Sequence, residues 1–289
     1  MRIFVTGATG FVGSAIVTDL LRAGHQVTGL ARSSQGADTL TAAGAAVHRG
    51  DLDDVASLQS GTVNADAVVH AAFDHDFSRF ALTCEVDRRA IDVLGEALAG
   101  SGRPLVVTAG LPVTPGRPAT EDDVAPAGSP RMSEQAALAW TERDVRVSVV
   151  RMAQVHDQHK QGFATYLLAL AREKCVSAYV GDGMNRWPAV RRIEAAALYR
   201  LALERGTAGA CYHAVTEEGI PVRQVAEAIG RRLGLPAVSL APQEAAAHFG
   251  FLARPAAMDV PASSTLTRQR LGWRPAAAPG FVADIGALA

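Results

Sequence analysis

The sequence predicts an α/β fold: a Rossmann-like doubly wound parallel sheet with a smaller C-terminal α+β lobe. Three observations predict it. Short apolar runs alternate with stretches of helical periodicity through the first half, the pattern of βαβ units. Runs such as Ala67-Val68-Val69 lack polar alternation, as strands covered on both faces require. Gly7, Gly10 and Gly13 stand three apart between the first apolar run and the first helical pattern.

Composition narrows the function classes. A chain of 289 residues is long enough for one large domain or two joined ones. At that length it needs no covalent staples. Lys and Arg number 28 against 29 Asp and Glu, a net charge of -1, which argues against a surface that coats nucleic acid or anionic membrane. Hydrophobic residues at 48% exclude wholesale disorder, and aromatics at 6% predict an aliphatic core. Cys84, Cys175 and Cys211 form no CxxC pair and no metal-ligand spacing. They read as small buried hydrophobes in a reducing compartment. Gly7 breaks the apolar start after one short strand, so no signal peptide is expected. No apolar run approaches the ~20 residues of a membrane span. The expectation is a soluble, cytoplasmic protein with a small-molecule substrate, no metal, and neither nucleic acid nor membrane as partner.

The elements follow in order. Strands are predicted over 2–6, 26–30, 46–49, 66–70, 105–108 and 145–150. Helices are predicted over 11–23, 35–43 and 77–99. The stretch 110–130 carries Pro112, Pro115, Pro118, Pro126 and Pro130 and cannot be a regular helix. It is either a floppy surface loop or a border of the ligand crevice, which loops at the carboxyl ends of such strands line. Beyond Gln154 the pattern loosens. Helices are predicted over 163–172, 191–204, 222–233, 242–249 and 263–271, and a strand over 210–215. Gly272-Trp273 ends the last helix. This divides the chain into a nucleotide-binding domain, 1–153, and a substrate-binding lobe, 154–289, packed on the first and partly interleaved with it.

The opening segment Thr6-Gly7-Ala8-Thr9-Gly10-Phe11-Val12-Gly13 carries the strongest signal. A tight turn needs a residue free to adopt positive φ, and close approach of a pyrophosphate needs a residue without Cβ. The following helix offers free N–H groups and the positive end of its dipole. Thr6, Gly7, Thr9, Gly10, Phe11, Val12 and Gly13 are therefore expected against a dinucleotide. At the end of the second strand, where a carboxylate would grip the ribose of NAD, stand Ala31-Arg32-Ser33. Arg32, with Ser33, suits a 2′-phosphate, so the expected cofactor is NADP(H). Asp51-Leu52 follows the third strand, either to meet the adenine or to cap a helix.

These residues resemble the short-chain dehydrogenase/reductase superfamily, in its extended or atypical branch with epimerases and dehydratases. The resemblance covers nearly the whole chain. The segment 6–13 resembles that branch's TGxxGxxG loop, and Asp51-Leu52 its adenine-contact pair. His70-Ala71-Ala72-Phe73 resembles the H-x-A stretch, which implies that Ala71, Ala72 and Phe73 lie along the cofactor. Residues 151–156 resemble the R-P-x-x-V-Y stretch at the nicotinamide, with Met152 in place of Pro. Residues 186–195 resemble the segment that crosses the substrate site. The family's habit also implies a homodimer through helices over 77–99 and 131–141.

The family's catalytic triad has no match. After the fifth strand stand Thr108-Ala109-Gly110-Leu111, and the usual hydroxyl position falls on Gly110 or Leu111. Ser133-Glu134-Gln135-Ala136-Ala137 resembles the start of the catalytic helix, with Glu134 in the place of Lys and Pro130 in the place of Tyr. None of Tyr166, Tyr179, Tyr199 and Tyr212 has Lys four residues on.

Hydride transfer belongs to the cofactor, but a ketone still needs a hydrogen bond or proton as its oxygen gains charge. A protonated imine does not. The loop Asp74-His75-Asp76 offers a titratable imidazole with flanking carboxylates. His75 and Asp76 are the expected catalytic groups, with Thr108 presenting a hydroxyl. The competing readings are a helix cap at Asp76 or Ser78, a solvated His75, and an ordinary strand residue at Thr108. His75, Gln154, His156, Asn185 and Trp187 are expected at the substrate, with a core role as the alternative for Trp187. Arg131 either binds an acidic group or lies on the first helical turn. Glu134 either orients a substrate amine or belongs to a cap. The expected function is an NADPH-dependent oxidoreductase that passes hydride to a small carbonyl or imine. The alternatives are a non-redox epimerase, dehydratase or cyclase, and a non-catalytic NADP-binding sensor.

Overall fold

The computed structural model describes residues 1–125, 131–276 and 278–287. Its strands are β1 (Arg2–Thr6), β2 (Gln26–Ala31), β3 (Ala46–Arg49), β4 (Ala67–His70), β5 (Pro104–Gly110) and β6 (Arg146–Met152) in the first half. In the second half they are β7 (Gln154–His156), β8 (Ser177–Val180), β9 (Arg186–Arg191), β10 (Ala210–Ala214), β11 (Glu217–Pro221) and β12 (Ala237–Leu240). Seven of them form one sheet in the order β10-β6-β5-β4-β1-β2-β3, every neighbour parallel. The chain winds outward from β1 to β3, then returns to β4 on the other side of β1. That reversal opens a crevice at the carboxyl ends of β1 and β4, where Thr6 pairs with His70 in register.

Helices cover both faces. On one lie α1 (Phe11–Arg22), α2 (Ser34–Ala42) and a later helix over Arg192–Arg205; on the other lie α3 (Val55–Val63), α4 (Phe80–Leu98) and α5 (Ser133–Ala139). The first face buries Ile16, Val17 and Leu20 against Leu198 and Leu203, and the second buries Leu58, Ile91, Leu94 and Leu98 against Val68 and Leu105. Each such aliphatic side chain contributes roughly 1.5–3 kcal/mol by leaving water. The branched strand residues Val68, Val106 and Val149 have no exposure, which explains why their runs show no polar alternation.

The remaining helices are α6 (Phe163–Lys174), α7 (Arg192–Arg205), α8 (Val222–Leu233), α9 (Ala245–Phe249), α10 (Ala253–Ala257), α11 (Thr265–Leu271) and α12 (Phe281–Ala287). The second lobe has its own core of Trp187, Ile229, Phe249 and Phe281. Yet α7 packs on α1, and β10 adds to the edge of the main sheet beside β6.

Several sequence expectations are corrected. Strands β7, β8 and β12 run only three or four residues, and β9 and β11 carry charged residues and a proline, so none shows a clear period in the sequence. The helix ended by Gly272 at φ +67 is not the last, because α12 follows. The helix expected over 77–99 starts as a 3-10 turn, Phe77–Arg79, before α4. Cys84 and Cys211 are buried, but Cys175 is exposed and closes α6 at φ 53. The described part of the proline-rich stretch is tied down rather than floppy. Ala119 N–H donates to Pro261 O at 2.9 Å, Ser263 N–H donates to Ala119 O at 2.8 Å, and Arg270 pairs with Asp122 at 2.7 Å. Pro126 and Pro130 lie outside the described residues, and with Pro130 the position expected to replace the family's Tyr. Among the described residues no helix is long and apolar enough to cross a membrane.

Candidate active site

The glycine loop forms a cradle that side chains would fill. Gly7 has φ +67, and a Cβ there would stand 2.6 Å from the Ala72 nitrogen. A Cβ on Gly13 would stand 1.9 Å from the Gly7 carbonyl oxygen, so that glycine lets α1 close on the turn. Gly10 is the N-cap of α1, without a side-chain cap and without acidic residues in the first turn. The open N–H groups and the dipole therefore favour an anion, and the cradle fits a dinucleotide pyrophosphate. Thr9 is exposed at the mouth, while Phe11 and Val12 are half-buried. The second lobe places Lys160 and Arg192 over the Phe11 ring, at 5.5 and 5.0 Å.

The residues expected at the adenosine lie at the ends of β2 and β3. The Arg32 side chain is 80% exposed, and its carboxylate neighbour Asp51 is 3.9 Å away. Ser33 caps α2, its Oγ accepting from Gly36 N–H at 3.1 Å. Arg49 donates to the Ser33 carbonyl at 2.5 Å, which brings a second guanidinium to this turn. Asp51 Oδ1 accepts from Leu52 N–H at 2.6 Å. The cap of α3 is Asp54, which accepts from Ser57 N–H at 3.0 Å, and so the capping role considered for Asp51 belongs to its neighbour.

At the crevice a polar network joins β1, β4, β5, α4 and the start of α5. His70 is fully buried, with Nδ1 2.8 Å from Thr6 Oγ1 and Nε2 3.1 Å from Asp87 Oδ1. Ser133 Oγ donates to Asp87 Oδ2 at 2.5 Å and accepts from Arg131 Nε at 2.9 Å. Hydrogen bonds from His70 and Ser133 outweigh burial and hold the Asp87 carboxyl below the usual carboxylate pKa. Arg131 also donates to the Thr108 carbonyl at 3.3 Å, and its guanidinium lies 3.9 Å over the Phe73 ring. Among the described residues no carboxylate pairs directly with Arg131.

This network changes the roles expected from sequence. Thr108 Oγ1 donates to the His70 carbonyl at 2.9 Å, and Tyr199 OH lies 2.6 Å from Thr108 Oγ1. A carbonyl only accepts, so the Thr108 proton is committed and Tyr199 donates to Thr108. Burial raises the Tyr199 pKa and keeps its proton in place. Thr108 is thus an anchor of the network and not a free donor. Asp76 caps the turn before α4, accepting from Ser78 N–H at 3.1 Å and from Arg79 at 3.1 Å. Its carboxylate serves the turn, which corrects its catalytic assignment. His75 lies at the exposed rim, edge-on to Phe73 at 5.5 Å. The surrounding protein mass and the Arg131 charge push its pKa below 6.5.

Four of the expected substrate contacts turn inward instead. Gln154 Oε1 accepts from Phe163 N–H at 3.1 Å and fixes the start of α6. His156 is fully buried, its Nδ1 2.8 Å from Asp284 of α12. Asn185 donates to the carbonyls of Ala256 and Met258 at 2.9 and 3.0 Å. Trp187 is buried, and its indole N–H donates to Pro255 O at 3.1 Å. Gln154, Asn185 and Trp187 thus spend hydrogen bonds within the lobe, whereas His156 is paired at Nδ1 and its buried Nε2 has no hydrogen-bond partner among the described residues, Glu217 standing 3.8 Å away. Half-buried Met152 ends β6 beside Gly110. Glu134 neither orients a ligand nor caps a helix. It takes two bonds of 2.7 Å from the buried Arg151, whose remaining hydrogens go to the carbonyls of Glu121 and Asp123 and to His213. The residue that sequence left open, Arg131, is the cation the structure brings to the crevice.

Comparisons with known proteins bear on the family and the fold. Residues 3–99 match the NAD dependent epimerase/dehydratase family. An uncharacterized protein of Schizosaccharomyces pombe is 47% identical over 280 residues, covering 95% of each chain. A 2-alkyl-3-oxoalkanoate reductase of Stenotrophomonas maltophilia is 29% identical over 266 residues, 83% of this chain and 78% of its own. The dTDP-glucose 4,6-dehydratase of Streptomyces venezuelae, solved with NAD bound, superposes with a TM-score of 0.77 at 20% identity, over 96% of this chain and 93% of that one.

Proposed function

The chain belongs to the NAD-dependent epimerase/dehydratase family of extended short-chain dehydrogenases/reductases, and from that premise we propose that it is an NADPH-dependent reductase of a small carbonyl compound. The observation that carries the proposal is Arg131, a guanidinium at the carboxyl end of β5 with no carboxylate paired to it among the described residues. A carbonyl oxygen gains negative charge as it is reduced, and a preorganised cation stabilises that charge. A protonated imine brings positive charge to the same place and is disfavoured by it. The site therefore favours the carbonyl over the imine. The distant likeness to a 3-oxoalkanoate reductase supports the same direction.

NADPH supplies the hydride when bound. Gly7, Thr9, Gly10, Phe11 and Val12 hold the pyrophosphate side, while Thr6 and Gly13, both buried, shape the turn from behind. Arg32 with Ser33 holds the 2′-phosphate, and Asp51 and Leu52 meet the adenine. Ala71, Ala72, Phe73 and Met152 lie along the nicotinamide side. Arg131 faces the carbonyl oxygen, and Phe73 beneath it gives the pocket an apolar wall. His75, its pKa lowered by burial and the Arg131 charge, hydrogen-bonds the substrate at the rim. The final proton comes from water there.

The test is consumption of NADPH and NADH with a panel of 2- and 3-oxo esters, cyclic ketones and preformed cyclic imines. The proposal expects turnover of a carbonyl compound, faster with NADPH. Turnover of imines alone, or of none of the panel, contradicts it.

A further inference from the structure

We infer that the Asp87 carboxylate, acting through the Ser133 hydroxyl, positions Arg131 as the electrophile of the site. The inference rests on the carbonyl-reductase reading for its catalytic half and on geometry alone for its structural half. Asp87 and Ser133 are both almost without exposure, so neither touches a ligand directly. Ser133 Oγ gives its single proton to Asp87 Oδ2 at 2.5 Å. Its lone pairs then face Arg131 Nε at 2.9 Å. A hydroxyl that donates to a carboxylate is a stronger acceptor, so the two bonds reinforce one another.

The interposed hydroxyl matters. A direct Asp–Arg pair would hold the guanidinium but cancel its charge towards the crevice. With one hydroxyl between them, the guanidinium is oriented while its positive charge remains available. Thr108 O and the Phe73 face fix the other edge and the plane of the group. The carboxylate is itself held from the far side. His70 Nε2 meets Asp87 Oδ1 at 3.1 Å, and His70 Nδ1 meets Thr6 Oγ1 at 2.8 Å. Thr6 is the residue that leads into Gly7, so the same chain of bonds ties Arg131 to the cofactor loop. His70 and Thr6 are thus the outer supports of one buried arrangement, and Ser133 is its link to the reacting end.

Two measurements on the full-length protein test this. The first needs no substrate: exchange of the Arg131 Nε–H by nitrogen-15 NMR, assigned by its loss in Arg131→Lys. Protection in the wild type, its loss in Ser133→Ala and its return in Ser133→Thr are expected. Unchanged protection in Ser133→Ala overturns the positioning. The second uses the best carbonyl substrate of the panel. Ser133→Ala and Asp87→Asn should lower kcat roughly tenfold to a hundredfold, the scale of a loosened electrophilic contact. KM and the NADPH dissociation constant should stay within about twofold, because both residues lie beneath the ligands. Ser133→Thr should restore most of kcat. Unchanged kcat in a folded Ser133→Ala overturns the catalytic half. If the wild type reduces no carbonyl compound, the reductase reading fails, while the exchange measurement still decides whether Ser133 positions Arg131. Should Asp87→Asn fail to fold, the two Ser133 variants decide the question.

Discussion

Replacing Arg32 by Ala should convert a selective cofactor site into an indifferent one. The side chain is 80% exposed and stands 3.9 Å from the Asp51 carboxylate, so the fold loses little; a surface change of this kind stays within about 0.5 kcal/mol. What should disappear is the proposed charge-assisted contact to the 2′-phosphate, about 1.5–3 kcal/mol in favourable cases. Exposure places this contact at the lower end. Arg49, held on the same turn by the Ser33 carbonyl, retains part of the positive field. At roughly 1.4 kcal/mol per factor of ten, NADPH should bind about ten- to thirtyfold more weakly, and NADH should be unaffected. Fluorescence titration of both cofactors, at low and high salt, measures this directly. The gap between them should also narrow with salt in the wild type. Equal weakening of both cofactors, or of neither, would refute the assignment of Arg32 to the 2′-phosphate.

Three further outcomes follow from buried groups. Gly13→Ala places a Cβ 1.9 Å from the Gly7 carbonyl oxygen, so α1 must shift; a loss of about 1–3 kcal/mol and a sharp loss of NADPH binding should appear together in thermal melts and titrations. Glu134→Ala leaves Arg151 buried without its carboxylate and should destabilise by about 3–5 kcal/mol in denaturant melts, whereas Glu134→Gln should do less harm. His213 is fully buried, and its ring meets Ser263 O and the Arg151 guanidinium; burial pushes its pKa below 6.5. The unfolded chain then binds the proton first. Stability should be full above pH 6.5 and fall as acid drives the pH down towards the folded pKa. His213→Gln should flatten that slope in melts taken across the interval.

The sheet was legible because its strands are buried on both faces and separated by helical repeats, and because three spaced glycines mark the first turn. The second lobe was less legible. Its strands are short, and β10 and α7 join the first layer through contacts far apart in sequence. The glycine turn after β1 was legible, because backbone geometry itself demands glycine there. The crevice was not legible, because a hydroxyl's role depends on who takes its proton. Thr108 looks like a catalytic hydroxyl until the His70 carbonyl and Tyr199 are in place. Asp76 looks like a partner for His75 until Ser78 and Arg79 claim it. Arg131 and Asp87 are 44 residues apart and meet only through Ser133, so no local pattern announces them.

The central claim is that hydride passes from NADPH to a carbonyl carbon beside Arg131. NADPH carrying deuterium at both C4 positions of the nicotinamide tests it most directly, with mass spectrometry of the product in wild type and Arg131→Leu. The account predicts one deuterium on the carbinol carbon, and a fall in its rate of appearance of roughly a hundredfold in the variant. Product formed without deuterium, or formed at an undiminished rate in a folded Arg131→Leu protein, would contradict it.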